Sequence, residues 1–134
     1  MNYQEKEDFL KSYKIAKENA EAYQKEIANL RETMLPSGMH LSDVPKHHNN
    51  TDDHMADYAG EFWEIQRRLD RATARMVKVV AVINQIDKED PLGHRILVER
   101  YINNTKRAAV CKILYISGDT EWRHRKKAIE RLKI

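Results

Sequence analysis

Residues 55–86 read MADYAGEFWEIQRRLDRATARMVKVVAVINQI. Met55, Tyr58, Phe62, Ile65, Leu69, Ala72, Met76, Val79, Ile83 and Ile86 fall at spacings that alternate between 3 and 4. That rhythm keeps apolar side chains on one stripe of an α-helix and is incompatible with the two-residue period of a strand. The stretch therefore predicts one long amphipathic helix, over about residues 52–88. Thr51, Asp52 or Asp53 can cap its start, and Asp90-Pro91 marks its end, because proline disfavours helix in the residue before it.

Working back towards the N-terminus, a second seam runs through Phe9, Tyr13, Ala16, Ala20, Tyr23, Ile27, Leu30 and Met34. Its spacings alternate in the same way, and Leu35-Pro36-Ser37-Gly38 stops it, which predicts a helix over about residues 4–34. The two helices would be roughly 45 and 50 Å long at the usual rise per residue. Joined through a loop over 35–51, they predict an antiparallel helical hairpin occupying residues 1–90. Tyr13, Tyr23, Tyr58 and Phe62 lie on the seams and are expected to pack there. Ala16 and Ala20 would let the axes approach opposite Leu69, Ala72 and Met76. Leu41 and Val44 could pack back onto the hairpin. A two-helix hairpin has a thin core, so pairing with a second chain, a dimer above all, is also expected.

Working forward from Asp90, the pattern changes. Leu92, Ile96, Leu97, Tyr101 and Ile102 follow a helical rhythm that ends near Asn103-Asn104. Thr105 can cap a short helix to Leu114, with Ala109, Val110, Ile113 and Leu114 facing inward. Tyr115-Ile116-Ser117-Gly118 breaks the chain, and Ser117 or Asp119 can cap a last helix carrying Trp122, Ala128, Ile129 and Leu132. Three short helices with a tight break before the third predict a helix-turn-helix-like module over 91–134. The fold class is all-α. The 134 residues include 4 Gly and 3 Pro, with 34% charged side chains, few breakers for a sheet protein.

The charge is unevenly placed. The net formal charge is +3, yet residues 1–35, 36–54 and 55–90 carry −1, −2 and −1, and residues 91–134 carry +7. Such concentration points to a polyanionic partner, DNA in the leading reading. In the last helix Arg123, Lys126 and Lys127 share a face, and Ser117 and Thr120 stand at its start. Lys106 and Arg107 would reach a phosphate backbone from the preceding helix. The alternative is a solvated basic helix that only keeps the protein in solution.

Other chemistry is sparse. His40, His47, His48 and His54 with Asp43, Asp52 and Asp53 fit no zinc spacing and read as a polar loop, so no metal or other cofactor is expected. Cys111, the lone cysteine, reads as a small buried hydrophobe. Trp122 could stack on a base or fill the module's core, and core is the better reading. No phosphate loop, nucleophile elbow or carboxylate pair stands out, so the chain is not expected to be an enzyme. The longest apolar run, Met76 to Ile83, is too short to span a bilayer, and the N-terminus lacks signal-peptide layout. A soluble, cytoplasmic protein without a membrane partner is expected.

Several short motifs resemble a family. Leu41-Ser42-Asp43-Val44-Pro45-Lys46 is similar to a Leu-Ser-Asp-x-Pro-Lys loop, and Arg100-Tyr101-Ile102 to an Arg-Tyr-Ile entry. Val110-Cys111-Lys112-Ile113-Leu114 resembles an Ile-Ala-x-x-Leu helix, and Ala128-Ile129-Glu130-Arg131-Leu132 an Ala-Leu-x-x-Leu end. Together they resemble the prophage-encoded ArpU/RinA-type late-transcription regulators, which join a coiled-coil arm to a C-terminal helix-turn-helix like region 4 of sigma factors. The resemblance implies DNA binding and transcription regulation in a bacterial host. Three positions depart from it: the turn glycine falls on Tyr115, and two apolar positions of the recognition helix fall on Glu121 and His124. Either the last helix has rotated to bury Trp122, or the module has lost its DNA-reading face. The competing reading is a non-enzymatic interaction factor that engages a host or phage protein through the hairpin.

Overall fold

A computed structural model describes the backbone of residues 1–34 and 48–134. Its element order is α1 (Tyr3–Met34), α2 (His48–Ile83), α3 (Pro91–Leu97), α4 (Arg107–Leu114) and α5 (Gly118–Arg131). There is no strand among the described residues, and the long helices α1 and α2 pack together, so the chain is all-α as expected. The Leu41–Lys46 motif lies outside the described residues. So do Leu41 and Val44, along with His40, Asp43 and His47.

The helix ends differ in detail from expectation. α2 begins at His48, so Thr51, Asp52 and Asp53 lie within it rather than cap it. It ends as an α-helix at Ile83 and tightens into a 3-10 turn over Asn84–Ile86. Asp90-Pro91 opens α3 instead of closing α2. The Asp90 carboxylate accepts from the Gly93 amide at 2.9 Å, with Pro91 in the first turn, where its missing N–H costs nothing. A Cβ on Gly93 would collide with that carboxylate and stand 3.0 Å from the Ala128 Cβ, so glycine lets α3 lie close on α5.

Val98–Ile102 continues α3 as a π-helical turn, closed by Asn103 N donating to Val98 O at 2.9 Å. Asn104 then takes a left-handed φ of 55° and ends it. Thr105 does not cap α4. Its hydroxyl donates to Glu99 Oε2 at 3.0 Å, Lys106 holds the cap position, and no side chain supplies a cap there.

The chain divides into two compact units, Met1–Lys17 with Ala74–Ile134, and Glu18–Thr73. The expected boundary at residue 90 falls inside the first of these. The reason is a shared core: Phe9 and Leu10 of α1 and Val79, Val82 and Ile83 of α2 are buried in one cluster with Leu97, Ala128, Ile129 and Leu132. Lys6 Nζ donates to Glu130 O at 2.9 Å, and the Gln85 amide pairs both ways with the Lys133 backbone. The basic module thus does not pack by itself; it closes over the N-terminal half of α1.

In the second unit Ile27, Ile65, Ala20 and Ala72 are buried, as the seams require. Tyr23, Tyr58, Phe62 and Leu69 are half-buried. Tyr58 stacks on Phe62, which meets Trp63 edge-on at 5.5 Å and carries Arg31 over its ring at 5.8 Å.

Candidate nucleic-acid interface

The break before α5 is built by backbone conformation. Tyr115 adopts φ 55° and ψ 46°, the left-handed region that glycine occupies most cheaply, and its amide donates to Cys111 O. Its ring is 95% exposed and finds no packing. A non-glycine residue thus holds a conformation that costs it strain. Ser117 then caps α5, its hydroxyl accepting from the Thr120 amide at 3.1 Å and donating to Thr120 Oγ1 at 2.9 Å.

From that start α5 presents two unlike faces. Inward are Ala128 and Ile129, with Leu132 just beyond the helix, all essentially without exposure. Outward is a stripe of Asp119, Trp122, Arg123, Lys126, Lys127 and Glu130, all exposed. Arg123, Lys126 and Lys127 are brought together as the sequence predicts. Arg123 is held at 3.5 Å from Asp119 one turn earlier, an exposed pair that a phosphate can displace at little cost. Lys126 and Lys127 have no ion-pair partner among the described residues.

One expectation fails on α5. Trp122 is not core: it is 45% exposed, and Lys126 Nζ lies over its ring at 5.2 Å. Glu121, the residue before Trp122, has no exposure at all. Ile113 on α4 is also exposed rather than inward. Cys111 is half-buried.

Glu121 survives burial because three guanidinium groups converge on it. Arg125 Nε donates to Oε1 at 2.9 Å, Arg107 Nε lies 3.1 Å from Oε2, and Arg100 Nε lies 3.9 Å from Oε1. The Arg107 contact lacks hydrogen-bond alignment, so Oε2 is left without a hydrogen bond. Arg107 also donates to Gly118 O, which ties α4 across the turn to the start of α5. Arg125 Nη1 approaches the Tyr101 hydroxyl at 3.5 Å. Burial pushes the Tyr101 phenol above its ordinary value.

This cluster redistributes the predicted site. Lys106, Lys126 and Lys127 are exposed without an ion-pair partner among the described residues, and Arg123 is exposed with only its pair to Asp119. Ser117 and Thr120 are engaged with each other, and Arg107 with Glu121 and Gly118. Reading the sequence missed the Glu121 cluster because its arginines come from three separate segments. The missed exposure of Trp122 had one available signal, its place on the same helical stripe as Lys126.

Among the described residues, no group of His, Cys, Asp and Glu is placed to hold a metal ion, and no helix is long and apolar enough to cross a membrane. No family model, curated protein or solved structure matches the chain.

Proposed function

We propose that the chain binds duplex DNA through the exposed face of α5 and acts in transcription control of the phage type. The observation that carries this reading is the stripe of Trp122, Arg123, Lys126 and Lys127, presented directly after a tight turn at Tyr115. Cations on one exposed helix face can neutralise phosphates, and residues near the helix start can reach base edges in a major groove. Lys106, at the entry to α4, supplies a further backbone contact. The regulatory role rests on the resemblance to ArpU/RinA-type proteins.

Retention of duplex DNA against salt tests the reading. Binding through several phosphates should weaken by orders of magnitude between roughly 50 and 200 mM salt. Replacing Arg123, Lys126 and Lys127 with Ala should lower the salt slope by about 3. No salt-sensitive retention at low salt would end the proposal.

A second reading is favoured by the aromatic cluster of the Glu18–Thr73 unit. Trp63 is 60% exposed beside Phe62, and Met55 on the same helix is 49% exposed. Large apolar side chains left in water in this way suit a protein contact, with a second copy of the chain as the first candidate.

A further inference from the structure

The geometry points to a second anion site, a groove of about 510 Å³ in the Met1–Lys17 and Ala74–Ile134 unit that takes a phosphate group. No residue of α5 lines the groove. Lys11 and Lys14 of α1, Arg100 and Tyr101 of the π-helical turn, and Thr105 and Lys106 at the entry to α4 line it.

Four cations surround this space, and no carboxylate lines it among the described residues. Lys11 is partly neutralised by Glu7 at 2.8 Å, and Arg100 faces the buried Glu121 only at 3.9 Å. Lys14 and Lys106 are exposed and have no ion-pair partner among the described residues. Positive charges held together on a concave surface reinforce one another's field, and an anion relieves their repulsion. A phosphate suits this set because it carries up to two charges and several acceptor oxygens, so one group can serve cations from different elements.

The volume exceeds that of a lone phosphate and falls in the range of small-ligand pockets. The phosphate can therefore come from a phosphorylated small molecule or from the backbone of a nucleic acid passing over the groove. In the second case α1 becomes part of the nucleic-acid footprint, which no reading of the basic C-terminal segment alone would include.

The test uses the full chain and two probes, inorganic pyrophosphate and a duplex of about two helical turns, at matched ionic strength. Lys14→Glu reverses an exposed charge of the groove that the α5 reading of duplex binding does not use, and leaves the core untouched. Pyrophosphate binding should fall by about tenfold or more in this variant, and should be unchanged in the Arg123→Ala, Lys126→Ala, Lys127→Ala variant. A parallel loss of duplex affinity in the groove variant assigns the phosphate to nucleic acid. Unchanged duplex affinity beside lost pyrophosphate binding assigns it to a small molecule. Pyrophosphate binding that persists when no duplex is retained keeps the groove and removes the DNA reading. Equal pyrophosphate binding by wild type and groove variant overturns the proposal, as does a tetraglutamate peptide that binds as tightly as pyrophosphate.

Discussion

Arg125 Nε donates to Glu121 Oε1 at 2.9 Å, one turn back along α5, and so holds a carboxylate that has no contact with solvent. Arg107 and Arg100 complete the surroundings from α4 and from the π-helical turn. The last helix is thereby oriented by charge. A buried charge with partners is stable chiefly because each partner would be worse off without the other.

Replacing Glu121 with Gln should accordingly destabilise the fold by about 3–5 kcal/mol, since the arginines are then left around an uncharged amide. Chemical denaturation measures it. Glu121→Leu combined with Arg125→Met should recover much of the loss, because Arg100 and Arg107 keep access to water. A loss of the same size in the double variant would mean that the cluster matters for its shape and not for its charge balance.

Tyr115 offers a test in the opposite direction. Its left-handed backbone is strained and its ring is 95% exposed, so Tyr115→Gly removes strain and forfeits no packing. The variant should be more stable by about 1 kcal/mol. A lower midpoint of unfolding would show that the ring makes contacts of its own.

Acid and alkali should act through the start of α1. The Tyr3 phenol is pushed up from 10.0 to about 12, first by burial and then by its hydrogen bond to Glu7. A folded-state value above the unfolded one gives stability that is complete below pH 10 and is lost as the pH rises towards 12. Tyr3→Phe should flatten that alkaline limb. For Glu7, burial works to raise the carboxyl, but hydrogen bonds from Lys11 and Tyr3 outweigh it, and the group ends below its ordinary 4.5. Its contribution is present above that value and is lost as the pH falls through the lower folded one. Glu7→Gln should shrink the acid limb. Melting temperatures across the two limbs check both, and unaltered limbs in the variants would rule these groups out.

Trp122 should report nucleic acid directly. In a Trp63→Phe background it is the sole tryptophan, half in water on the α5 face, so bound duplex should quench or shift its emission. An unchanged spectrum under conditions of binding would place the contact elsewhere on the molecule.

Self-association should depend on the exposed aromatic cluster. Trp63→Glu should reduce the assembly to a monomer by sedimentation while leaving helix content intact, since the ring is 60% exposed. Ile65→Asp is a poorer probe because Ile65 is buried within the unit and its loss would unfold it. A wild-type chain that is already monomeric would remove the second-copy reading.

The sequence by itself determined what is local. Two seams with spacings of 3 and 4 specify long helices, because 100° per residue is a property of the backbone alone. Ser117 and the Tyr115 break likewise announce the start of α5, since capping and turn geometry involve only neighbours in the chain. The crowding of positive charge after Pro91 is also plain in the string of letters.

Which face of each helix meets what was decided only by tertiary structure. Glu121 and Trp122 are adjacent on α5, and hydrophobicity alone would bury the tryptophan. The reverse occurs because Arg100, Arg107 and Arg125 meet at the inward position and offset the charge of a carboxylate buried there. No local rule could bring those segments together. The same holds for Phe9 and Leu10, which share a core with Ile129 and Leu132 near the opposite end of the chain. That packing turns an expected separate module into one body with the start of α1, and it sets Lys11 and Lys14 beside Lys106.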